Sequence, residues 1–185
     1  MKKLLLIALL FVSVQASAQK NTSQSYIEKF KDDAIRIMHA SGVPASIILA
    51  VAMHESANGN SKIAQSLNNQ FGVKGYSKTV YTTAKNKKVS TFYKHYDSVM
   101  ESFEDFARIM TQRKQFSKLA STLTNLDYKA WAHGIQKAGY CSSHTWSKDV
   151  LAIINKYQLN TFDSTEPASE AAVNPADGGR DVDNK

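Results

Sequence analysis

The chain has 185 residues, 43% of them hydrophobic, a formal net charge of +7 and a single cysteine, Cys141. That length accommodates one domain with a real core, and one thiol excludes an intramolecular disulfide, so the core must hold the fold. There is no CxxC pair, and His54-Glu55 does not continue as HExxH because Asn58 stands four residues after His54, so neither a metal nor another cofactor is expected.

The chain begins Met-Lys-Lys, is apolar from Leu4 to Val14 but for Ser13, and then reads Ala16-Ser17-Ala18. A basic start, a short apolar stretch and small residues form a secretory signal, and the run is shorter than the ~20 residues of a membrane span. Residues 1–18 are therefore read as a signal peptide, with a retained anchor as the alternative. Export to the periplasm or cell exterior is expected, with no membrane span in the mature protein.

The first helix is predicted over about 25–40, where Tyr26, Ile27, Phe30, Ala34, Ile37 and Met38 recur at helical spacing before Gly42. Pro44 suits the first turn of a second helix, whose body from Ile47 to Met53 is apolar on every side and so belongs in the domain centre. It ends at His54-Glu55-Ser56, followed by a polar loop. Residues 79–83 and 89–93 are β-branched and aromatic and predict a hairpin, with Lys85, Lys87 and Lys88 in a solvated turn. Ser98 to Glu101 fits a capping box ahead of a third helix carrying Phe103, Phe106, Ala107 and Met110. Two further helices are predicted, over about 128–138 and 144–157. The fold expected is mainly α with a small β-hairpin lobe.

Residues 163–185 contain two Val and no Leu, Ile, Met or aromatic residue, too little apolar surface to offset chain entropy. They are read as a disordered tail or linker, leaving 19–162 as the domain. Residues 20–162 carry 19 basic against 10 acidic groups, net +9, whereas 163–185 carry 2 against 6, net −4. A basic exported body suits an anionic polymer such as the cell wall. Nucleic acid fits the charge equally, but export argues against it, and a solvated basic face is the plain alternative.

Glu55 is the leading candidate for chemistry. A carboxylate that ends an all-apolar helix sits at the edge of low-dielectric surroundings, where burial favours the protonated form a general acid needs. A Glu pointing to solvent is the alternative. Downstream, Asn68-Asn69-Gln70-Phe71-Gly72-Val73-Lys74-Gly75 offers amides, an aromatic ring and a cation that suit sugar hydroxyls, acetamides and a pyranose face.

Pro44-Ala45-Ser46-Ile47, Ala50 to Ser56, Ser61-Lys62-Ile63-Ala64 and the 68–75 loop, in this order and spacing, resemble glycoside hydrolase family 73. This is the bacterial glucosaminidase family of autolysins and the flagellar rod-cap hydrolase. The resemblance continues through Tyr93 to Ser98, Ser102 to Phe106 and Ala138-Gly139-Tyr140, and covers about 25–160. It implies a lysozyme-like α+β fold and cleavage after GlcNAc in the GlcNAc-β-1,4-MurNAc backbone of peptidoglycan glycan strands. Glu55 matches the family's catalytic acid, and Asn69, Phe71, Gly72 and Lys74 match its groove-lining loop. Tyr140 matches a tyrosine placed near that acid. Asp105 matches an aspartate proposed as catalytic in some members, with a helix-face carboxylate paired to a basic neighbour as the alternative.

The chain departs from the family pattern twice. Where relatives often carry Gly-Trp after Glu-Ser, this chain has Ala57-Asn58, and where several carry a second acid after a Thr-Thr pair, Ala84 follows Thr82-Thr83. Asp97, Glu101 and Asp105 are the nearest carboxylates that could replace it. Cys141 and His144 are read as incidental rather than a thiol peptidase pair, and Trp131 and Trp146 as core or groove wall. The reading is a monomeric endo-β-N-acetylglucosaminidase in which Glu55 protonates the glycosidic oxygen. Water then attacks, aided by a second carboxylate or after participation of the substrate's 2-acetamido group. The rivals are a lytic transglycosylase and a wall-binding module without activity.

Overall fold

The computed structural model describes residues 20–82 and 88–166. Helix α1, Ser23–Ser41, starts from a capping box in which Thr22 Oγ1 accepts from Ser25 N at 3.1 Å and Ser25 Oγ accepts from Thr22 N at 2.9 Å. It ends at Gly42, whose φ of 76° is the left-handed conformation of a helix C-terminus. Helix α2, Ala45–Ser56, is buried without interruption from Ala45 to Met53, as its all-apolar composition requires. Pro44 precedes the helix rather than lying in its first turn.

The N-terminus of α2 is capped from far along the chain. Asp163 Oδ1 accepts from Ser46 N at 2.8 Å and Oδ2 from Ser46 Oγ at 2.6 Å. Pro44 has no side chain able to do this, so the carboxylate satisfies the orphan donor. Asp163, which the sequence reading put in the tail, is thus buried in a 3₁₀ turn at Leu159–Ser164. The remainder of the expected tail, the signal segment, and the hairpin tip with Ala84, Lys85 and Lys87 lie outside the described residues.

Helix α3, Lys62–Leu67, leads to strand β1, Lys74–Thr82, which pairs antiparallel with β2, Lys88–Tyr93. The register sets Tyr81 opposite Val89 and Lys78 opposite Phe92, with a bulge where Lys74 and Ser77 both face Tyr93. Gly75 lies in this bulge. A β-carbon there would fall 2.6 Å from Lys94 Cα, so the close approach of the two backbones requires glycine. The hairpin begins five residues before the 79–83 segment that composition marked.

Helices α4 (Val99–Gln112), α5 (Lys114–Thr122), α6 (Tyr128–Lys137) and α7 (Trp146–Tyr157) complete the body. Helix α2 contacts α1, α4, α6 and α7 and so forms the axis of the core. Helices α3 and α5 are additional to the helices expected from the sequence. At six and nine residues, with one buried side chain each, they are too short to show a clear apolar stripe. Among the described residues, no helix is long and apolar enough to cross a membrane.

Candidate active site

Helix α2 carries Glu55 out of the core in its last turn, where the side chain is partly buried. Its Oε1 accepts a hydrogen bond from Trp146 Nε1 at 2.8 Å. Trp146 opens α7, is 1% exposed, and packs its ring against Tyr140 with centroids 5.3 Å apart. The Tyr140 hydroxyl donates to the Phe71 carbonyl at 2.9 Å. Burial first, and then the neighbouring Glu55 charge, holds that hydroxyl protonated well above its ordinary range, so it serves as a donor rather than a base.

Phe71 is buried, its ring stacked 4.4 Å from that of Phe106. Gly72 follows with φ 64°, and a β-carbon on it would lie 3.7 Å from Glu55 Oε2. Glu55, Phe71, Gly72, Lys74, Tyr93, Arg113, Phe116, Tyr140 and Cys141 are among the residues around a groove of about 460 Å³ between the helical body and the β-lobe. That volume is in the range of small-ligand sites. Lys74 Nζ reaches Thr91 Oγ1 at 3.2 Å and lies 3.9 Å from the centroid of the Tyr93 ring.

Two expected site residues do other work. Asn69 is 1% exposed and is not in the groove wall; its Nδ2 donates to the Val73 and Lys94 carbonyls at 2.9 and 2.8 Å, and its Oδ1 accepts from Val73 N at 3.0 Å. Both of its amide hydrogens and its oxygen are engaged by backbone groups, so it shapes the 68–75 loop. Asp105 is buried beneath the β-lobe, where it accepts from Tyr96 Oη at 2.7 Å, Lys94 Nζ at 2.9 Å and Arg108. Burial pushes its carboxyl up, but the bonds from Tyr96 and Lys94 and the charges of Lys94 and Arg108 outweigh that and hold it below the usual carboxylate range. It is the paired helix-face carboxylate of the alternative reading.

The other candidate second acids also lie away from the groove. Asp97 is exposed, and Glu101 Oε2 accepts from Asp97 N at 2.8 Å at the start of α4. Among the described residues, Glu55 is the one acid lining the groove. In the loop after α2, Asn58 Nδ2 donates to Ser23 Oγ at 3.2 Å and its carbonyl accepts from Asn21 Nδ2 at 3.1 Å. That loop therefore clamps the start of α1 instead of offering an aromatic platform. Trp131 is core, donating to the Thr124 carbonyl at 3.0 Å. The groove positions of Arg113 and Tyr93 and the Trp146 bond to Glu55 emerge only in the folded chain. Their residue types alone carry no signal of such a position.

Residues 31–159 match the glucosaminidase family, described as mannosyl-glycoprotein endo-β-N-acetylglucosaminidase. The chain belongs to this family, glycoside hydrolase family 73. It is 29% identical over 155 residues to the exo-glucosaminidase LytG of Bacillus subtilis, covering 78% of this chain and 55% of that protein. It is 24% identical over 148 residues to the peptidoglycan hydrolase FlgJ of Salmonella typhimurium, covering 72% and 46%. The chain thus spans about half the length of these curated relatives. The glycoside hydrolase domain of Salmonella typhimurium FlgJ superposes with a TM-score of 0.59 at 25% identity, over 76% of this chain and 91% of that domain. The catalytic domain of the Listeria monocytogenes autolysin Auto gives 0.61 at 22%, over 80% and 91%. The lysozyme-like family architecture, helices with one small antiparallel hairpin, is the fold expected from the sequence.

Proposed function

We propose that this family 73 member is an exported endo-β-N-acetylglucosaminidase that cuts the GlcNAc-β-1,4-MurNAc bond of peptidoglycan, with Glu55 as general acid. One observation carries the reading. Glu55, the one acid lining the groove among the described residues, is held at Oε1 by a buried indole while Oε2 lies on the Gly72 side. A sugar seated against Phe71, Gly72 and Tyr140 would place its glycosidic oxygen within reach of that carboxyl.

Protonation of the oxygen by Glu55 breaks the C1–O bond, and the electron pair leaves with the oxygen. The oxocarbenium-like centre is met by the substrate's own acetamido oxygen, since no second carboxylate faces Glu55 among the described residues. Glu55, now ionised, takes a proton from the water that opens the intermediate. The basic surface favours the anionic wall, and the enzyme works as a monomer without a cofactor. Export is read from residues 1–18, and intact mass of secreted protein starting at Gln19 tests it.

The decisive experiment digests purified sacculi with wild type and Glu55→Gln, then reduces the fragments with borohydride and weighs them. Reduced GlcNAc ends of mixed strand length, absent with Glu55→Gln, support the proposal. Terminal units alone would indicate the exo action in LytG's name. The lone groove acid also suits a lytic transglycosylase, which would leave 1,6-anhydro-MurNAc ends.

A further inference from the structure

We propose that Trp146 is a positioning residue that fixes which oxygen of Glu55 carries the acid proton. This rests on the reading of Glu55 as the acid. The indole N–H can only donate, and it donates to Oε1 at 2.8 Å. In a protonated carboxyl the carbonyl oxygen is the better acceptor, so the indole assigns that role to Oε1 and the proton to Oε2. Among the described residues no donor reaches Oε2, and it lies toward Gly72, where the missing side chain keeps space in front of it. The proton therefore stands on the groove side.

The indole is rigidly held. It is 1% exposed, its ring lies against Tyr140, and the next residue, Ser147, donates its backbone N–H to Gln136 Oε1 at 2.6 Å. When Oε2 gives its proton to the glycosidic oxygen, the C1–O electron pair goes to the leaving oxygen and the carboxyl becomes an anion shared with Oε1. The Trp146 bond then becomes charge-assisted and roughly twice as strong. An interaction that tightens along the reaction lowers the barrier instead of merely aiding binding. Trp146 thus acts through Glu55 and need not touch substrate.

The test combines kinetics with the indole resonances of the full chain, which has two tryptophans. Trp146→Phe keeps a ring against Tyr140 and removes the donor. We expect kcat on soluble glycan strands to fall about 10- to 100-fold with KM within about 3-fold. The Nε1–H resonance of Trp146 should shift between wild type and Glu55→Gln, while that of Trp131, bonded to a backbone carbonyl, stays in place. An unchanged kcat in Trp146→Phe, or a Trp146 resonance insensitive to Glu55→Gln, overturns the proposal. The resonance arm holds even if Trp146→Phe does not fold. A responsive resonance in a wild-type protein that leaves glycan strands intact would instead overturn the glucosaminidase reading.

Discussion

The Tyr96 hydroxyl donates to Asp105 Oδ2 at 2.7 Å, on the same carboxylate oxygen that receives Lys94 Nζ at 2.9 Å. Tyr96 and Lys94 follow β2, and Asp105 lies in α4. One buried carboxylate therefore fastens the β-lobe to the helical body, and the groove between them depends on it. The bond also pushes the Tyr96 hydroxyl far up, with burial as the larger cause.

Asp105→Asn should accordingly act on stability. It leaves Lys94 and Arg108 without their anion, but both are more than a third exposed, so the loss should be about 1–3 kcal/mol in urea unfolding. Turnover per folded molecule should stay within several-fold of wild type. A turnover loss as deep as that of Glu55→Gln, at unchanged melting temperature, would return Asp105 to the chemistry.

Glu55→Gln keeps the size and the acceptor for the Trp146 indole while removing the transferable proton. Wall lysis in a zymogram should drop by at least ~10²-fold, with thermal melting within a few degrees. Lysis at wild-type rate would remove Glu55 from the mechanism.

Asp163 gives the fold a pH signature. Burial lifts its carboxyl from 3.8 to about 6, against the opposing bonds from Ser46. Between about pH 4 and 6 the folded state then holds the proton that the unfolded chain has released. Stability is accordingly fully present below about pH 4 and declines as pH rises to about 6, by on the order of 3 kcal/mol at most. Asp105 acts in the opposite sense, losing its stabilisation as pH falls below the ordinary carboxylate range. Urea unfolding of wild type and Asp163→Asn at pH 4 to 7 separates the two, because the decline from pH 4 to 6 should vanish in the variant. An identical slope in both proteins would mean that Asp163 titrates normally.

Ala57 ends α2 with φ 52° and is followed by Asn58 at 57° and Gly59 at 75°. A left-handed alanine costs about 1–2 kcal/mol, part of which glycine would recover after its own entropy loss on folding. Ala57→Gly should raise the melting temperature by roughly 2–4 °C without changing kcat. A lower melting temperature would show that the loop tolerates alanine without strain.

Helices α1 and α2, the hairpin and the place of Glu55 at the end of α2 were legible in the residues, because burial imposes a pattern on neighbours in sequence. An apolar stripe, an all-apolar run and a carboxylate at its end each lie within a few turns of chain. Motif order extended this to Gly72, Lys74 and Tyr140, all of which line the groove. Polar partners were decided by the tertiary structure alone. Asn69 reads as a sugar ligand until the fold brings the Lys94 carbonyl to it, 25 residues away. Asp163 reads as tail until α2 presents an uncapped Ser46 across 117 residues, and Trp146 reads as core or groove wall until its N–H meets Glu55 across 91. A hydrogen-bonding side chain takes its role from whichever donor or acceptor the folded chain places within about 3 Å, and residue type and spacing do not encode that distance.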